Sequence, residues 1–109
     1  MIEIAWDARD RPRVVPGTAS PLLADLLETD VQDHLPRARE IAAAARQLVR
    51  GEATEAAFFY GNIYELELAP KTATIANLFD AGVVPEVLAL GDFAQAIERW
   101  LAAVEQRRG

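Results

Sequence analysis

Apolar and polar positions change period several times along this chain, and each change marks an element. Ile2, Ile4 and Trp6 alternate with Glu3, Ala5 and Asp7, the period-2 signature of a half-buried strand. The polar run Asp7 to Pro12 predicts a turn, and Arg13-Val14-Val15 returns antiparallel until Pro16-Gly17 ends the hairpin. Ser20-Pro21 then reads as an N-cap followed by proline at the first helical position. Leu22, Leu23, Leu26 and Leu27 form one face of a short helix running to about Glu28.

Pro36 opens the longest periodic stretch. Ala38, Ile41, Ala42, Ala45, Leu48 and Val49 keep the 3-4 spacing of a buried helix face, Arg37, Arg39, Glu40, Arg46 and Arg50 take the opposite face, and Gly51 ends the helix. The stripe is mostly alanine, so this helix can approach a sheet closely. Phe58-Phe59-Tyr60 and Ile63 to Leu68 flank Gly61-Asn62, a two-residue hairpin signal in which glycine supplies the positive φ of a II′ turn. Ala69-Pro70-Lys71-Thr72 is a second turn, Ala73 to Leu78 a third strand, and Asp80 to Pro85 a loop. Phe93, Ile97, Trp100, Leu101 and Val104 mark a terminal helix with a bulky apolar face. The order strand-strand-helix-helix-strand-strand-strand-helix predicts a single α+β domain over residues 1–109, with an antiparallel sheet of about five strands and three helices packed on one face. The other sheet face should then be free.

Composition narrows the function classes. The 109 residues are 51% apolar and hold 17 acids, 11 bases, one His and no Cys, which excludes thiol nucleophiles and Cys-ligated metals and points to a reducing cytoplasm. No basic n-region precedes an apolar run at the start, and nothing approaches the roughly 18 apolar residues of a membrane span, so neither export nor membrane anchoring is expected. The net charge of −6 argues against nucleic acid and against an anionic membrane as partners. Between Gly51 and Glu98 stand eight carboxylates against Lys71 alone, a balance of −7 that would steer a basic protein. Arg9, Arg11, Arg13, Arg107 and Arg108, near the termini, read as solvated ends.

Few residues have a catalytic type. Asp30 and His34 would share a helix face at i, i+4, a spacing that can hold a metal, but no Cys or second His exists to complete the usual ligand set. Turn chemistry between two helices explains Asp30 as well. Ser20 has no glycine-flanked elbow and serves better as a helix cap. Glu65 and Glu67, about 7 Å apart as alternate strand residues, have a spacing that fits a glycosidase pair and equally a wet strand face. The expectation is a protein without catalysis, cofactor or metal.

Four pieces carry a resemblance: Asp30-Val31-Gln32, Gly61-Asn62-Ile63-Tyr64-Glu65-Leu66, Ile75-Ala76-Asn77-Leu78-Phe79, and Leu88-Ala89-Leu90-Gly91-Asp92-Phe93 leading to Trp100. In order and spacing the chain resembles the CdiI-type immunity proteins of bacterial contact-dependent growth inhibition and the related YacL-like proteins, with Gly91 in a capping position where the family has a Leu-Ser-Leu-Glu-Glu-Phe-like segment. The resemblance implies a cytoplasmic protein that binds the toxic carboxyl-terminal domain of an effector, often a nuclease, in a one-to-one complex and is a monomer when free. The alternative is a YacL-like housekeeping or regulatory binding domain with no toxin partner.

The turn locates a candidate interface. A Gly61-Asn62 loop pairs Tyr60 with Ile63, Phe59 with Tyr64 and Phe58 with Glu65, so that Ala57, Phe59, Tyr64, Leu66 and Leu68 face the core. Phe58, Tyr60, Ile63, Glu65 and Glu67 share the opposite face, where aromatic anchors beside carboxylates would suit a basic partner. The helix connection at Glu28, Asp30 and Asp33 is the second candidate contact surface.

Overall fold

The computed structural model describes residues 1–109, and in it the amino-terminal alternation forms a two-stranded ribbon. β1 (Ile4–Trp6) pairs antiparallel with β2 (Pro12–Val14), Ile4 opposite Val14 and Trp6 opposite Pro12. Asp7 builds the turn by accepting the N–H groups of Arg9 at 2.8 Å and Arg11 at 3.0 Å on one carboxylate oxygen. Those donors, Arg11 foremost, hold the Asp7 carboxyl below its usual range.

Helix α1 (Pro21–Asp25) starts at proline as expected, although the Ser20 hydroxyl makes no cap bond. It does not run on as an α-helix to Glu28. The chain widens into a π-helical turn over Leu26–Val31, closed by Gln32 N–H donating to the Leu27 carbonyl at 2.7 Å. Thr29 bonds its hydroxyl back to the Asp25 carbonyl at 2.7 Å, the kind of side-chain competition that bends a helix. Gln32 leaves the turn at φ 54°, ψ −144°, a conformation costly for a residue with a Cβ. Helix α2 (Leu35–Val49) follows, with Pro36 in its first turn and Gly51 at φ +72° just beyond its end. Its buried stripe is Ala38, Ile41, Ala42, Ala45 and Leu48, whereas Val49, in the last turn, is 54% exposed.

The second half is an antiparallel meander of four strands in the order β3 (Ala57–Tyr60), β4 (Tyr64–Leu68), β5 (Thr72–Asn77) and β6 (Glu86–Ala89). Helix α3 (Leu90–Arg108) follows β6 directly. The expected single sheet of about five strands is therefore six strands in two sheets of two and four. β6 escapes a periodicity reading because Glu86-Val87-Leu88-Ala89 has no clean alternation; its strand character comes from pairing, Val87 opposite Thr74 and Leu88 opposite Ala73. Gly91 is not a cap: α3 begins one residue earlier, and Ala89 holds the capping position.

Helices α2 and α3 pack on one another and cover one face of the four-stranded sheet. Trp100, Phe93 and Ile97 of α3, Leu66 and Leu68 of β4, and Ile75 of β5 are fully buried between them. Trp100 also donates its indole N–H to the strained Gln32 carbonyl at 2.8 Å, tying α3 to the π turn. At the far end of α3, Arg107 and Arg108 are not free ends. Both stack over the Trp6 ring, at 4.8 and 4.9 Å from its centre, and both pair with Asp10, while Arg108 also bonds Asp33 at 3.0 Å. These guanidinium bonds, Arg108 first, hold the Asp10 carboxyl below its usual range. No helix is long and apolar enough to cross a membrane.

The double role of Trp100 can be separated experimentally. Trp100→Ala should cost about 3–5 kcal/mol through the cavity it leaves, a large share of the roughly 5–15 kcal/mol that holds such a domain together. Trp100→Phe keeps most of the packing and removes only the donor to Gln32, so its cost should be about 1–3 kcal/mol. Urea melts of the two variants give the comparison: equal losses would mean that the packing of the ring contributes nothing, and a Trp100→Phe loss near zero would mean that the indole bond contributes nothing.

Candidate functional site

The β3–β4 hairpin sets which side chains face outward. Its loop is Asn62-Ile63, not Gly61-Asn62: Gly61 N–H donates to the Tyr64 carbonyl at 2.9 Å, and Tyr60 pairs with Glu65, Phe59 with Leu66 and Phe58 with Glu67. The register is thus two residues away from the expected one. An even slip preserves facing, so Phe59, Leu66 and Leu68 still point to the core and Phe58, Tyr60, Glu65 and Glu67 still point away from it. Ile63 moves off that face into the turn, where it is half-buried against the core.

The cause of the register lies outside the hairpin. The Asp30 carboxylate, held out by the π turn, accepts the N–H of Ile63 at 3.2 Å and of Tyr64 at 2.8 Å, and the Thr29 hydroxyl supports it at 3.1 Å. Gly61 has no positive φ. Its need is space, because a Cβ there would sit 2.7 Å from the Asp30 Cβ and overlap the carboxylate. Five residues earlier, Asp25 accepts the Tyr64 phenol at 2.6 Å. The wide π turn is what brings residues five apart onto one side.

The outward face is uncovered. Two cross-strand rows run over it, Phe58-Glu67-Thr74-Val87 and Tyr60-Glu65-Ala76. Phe58, Tyr60 and Val87 are 49%, 61% and 62% exposed, and Phe79 and Val84 in the β5–β6 connection are more exposed still. Glu65 and Glu67, half-buried in the middle, pair with no cation, although six arginines of the chain each hold a carboxylate elsewhere. Val87 was not among the expected contact residues, since its strand is invisible without its partner β5.

The second acidic group is arranged differently. Glu28 accepts the Val14 N–H at 2.7 Å and pairs with Arg13 at 3.1 Å, Asp30 holds the hairpin turn, and Asp33 is bonded to Arg108. All three are engaged within the chain, which leaves them little capacity for a partner. His34 precedes α2 without a side-chain cap bond and lines an open cavity of about 480 Å³ with Asp30, Arg37, Glu40, Tyr60 and Asn62. No three His, Cys, Asp or Glu side chains cluster closely enough to hold a metal ion. The Ser20 hydroxyl is buried with no hydrogen-bond partner at all.

Two measurements follow from this geometry. Gly61→Ala should destabilise the fold by about 1–3 kcal/mol. Most of that penalty should vanish in an Asp30→Gly background, because the clashing side chain, its Cβ included, is then gone. Full additivity of the two losses would remove the steric argument. Burial, helped by the Asp25 hydrogen bond, pushes the Tyr64 hydroxyl up to about 12. The phenol is favoured in the folded state, so its contribution is complete below about pH 10 and is lost as pH rises through about 12. A Tyr60→Phe protein, with Tyr64 as its one tyrosine, should titrate near that upper value by ultraviolet absorbance, and a midpoint close to 10 would place the ring in solvent.

Comparison of the chain with protein-family models, with curated proteins and with solved structures returns no match.

Proposed function

We propose that this chain is an immunity protein, a one-to-one inhibitor that binds the toxic carboxyl-terminal domain of a contact-dependent growth inhibition effector in the cytoplasm and blocks it without catalysis. One observation carries the reading: the uncovered sheet face, where exposed Phe58, Tyr60 and Val87 surround two carboxylates that have no cation of their own. Aromatic side chains supply most of the energy of a protein contact, and flanking charges supply steering and register. A nuclease fits as the toxin, because a domain that grips phosphates carries clustered Lys and Arg. Such a domain is complementary to the acidic stretch from Gly51 to Glu98. The engagement of Asp30 in the hairpin turn supports binding over hydrolysis, since that carboxylate is already holding backbone N–H groups.

The test begins with the gene immediately upstream. Its product should end in a domain that stops growth when expressed alone and is harmless when co-expressed with this chain; an upstream product without such a domain would overturn the reading. Against that toxin, Glu65→Lys with Glu67→Lys should leave the melting temperature unchanged and weaken binding tenfold or more, about 1.4 kcal/mol. Association should also slow with added salt, as charges are screened beyond about 8–10 Å. A double variant that protects cells fully would move the interface to another surface.

A further inference from the structure

On the binding reading above, the shape of the open face says what kind of segment it receives. Down the middle of the face, β5 presents only the short side chains Thr72, Thr74 and Ala76. On one side stand Glu65 and Glu67 of β4, backed by Phe58 and Tyr60 of β3; on the other stands Val87 of β6. The result is a trough along β5 with one acidic, aromatic wall and one apolar wall. Those walls belong to the two strands that flank β5, about 10 Å apart at the usual strand spacing, and an α-helix with its side chains is about 10–12 Å across.

We infer that the trough takes one amphipathic helix of the partner lying along β5, with a basic stripe toward β4 and an apolar stripe toward β6. The periods agree. Glu65 and Glu67 recur about 7 Å apart along their strand, and helical residues at i and i+4 recur about every 6 Å. Two Lys or Arg side chains one turn apart therefore meet both carboxylates, with their stems against Phe58 and Tyr60. β5 spans six residues, which matches about three helical turns. Strand addition is opposed at one end of β3, where Arg37 donates to the Tyr60 carbonyl at 2.7 Å and lies over the Phe59 ring at 5.4 Å. The bound partner helix completes a layer opposite α2 and α3.

The probe is a stapled synthetic helix of about 12 residues with Lys at i and i+4 and Leu at i+3 and i+7, titrated into isotope-labelled protein and followed by amide shifts. Shifts should concentrate on residues 58–60, 65–67, 72–76 and 87. Affinity should fall at least tenfold for Glu65→Gln with Glu67→Gln, for a peptide with Glu in place of both Lys, and for an unstapled peptide with a central proline. Equal binding by the proline peptide, or shifts confined to the free edge of β6, would overturn the helix in favour of an extended segment; no binding by the stapled helix would overturn it outright. The two readings separate cleanly. A proline peptide that binds equally while the charge-reversed protein loses toxin protection sinks only the helix. Peptide binding in the trough by a chain whose upstream gene product has no toxic domain sinks only the immunity role.

Discussion

Six residues of π helix hold the rest of the molecule in place through polar bonds. From Leu26–Val31 and the residue that follows, Glu28 reaches the backbone N–H of Val14 in the ribbon, Asp30 reaches those of Ile63 and Tyr64 in the sheet, and the Gln32 carbonyl takes the Trp100 indole of α3. Each bond joins the turn to a different element, and each lies at a boundary where the apolar core alone would allow sliding. Hydrophobic burial is non-directional. These bonds supply the direction.

The consequence for the open face is geometric. A hairpin in water is set by its turn residues, but here the turn is set by a carboxylate that belongs to a helix more than thirty residues away. With Asp30 gripping the loop and Asp25 gripping the Tyr64 phenol, β3 and β4 have one register, and Glu65 and Glu67 come to rest beside Tyr60 and Phe58. A site meant for a partner gains from such fixing, because a rigid surface loses less freedom on binding.

Charge is sorted by the same architecture. Arg107 and Arg108 are drawn to Asp10 and Asp33 around Trp6, and Arg13 to Asp7 and Glu28, so that these basic residues neutralise acids at that end. The sheet face has no such partners for Glu65 and Glu67. That face of a protein of net charge −6 therefore combines half-buried carboxylates that have no cation with exposed aromatic area.

Much of this was legible in the residues themselves, for reasons of periodicity. The alanine stripe of α2, the Phe93, Ile97 and Trp100 face of α3 and the alternation in β4 each bury one side of a regular element, and burial of one side writes its period into the sequence. The division of the hairpin into an inward and an outward face was equally legible, since alternation survives an even slip of register. The register itself was decided by Asp30, and the partition of six strands into two sheets by which backbone edges found partners. β6 exists only because β5 lies beside it, and the π turn only because Asp25, Thr29, Asp30 and Gln32 all meet bonding partners at once. Local patterns record which side of an element is buried; contacts between residues far apart in the chain leave no period, and the tertiary structure alone settles them.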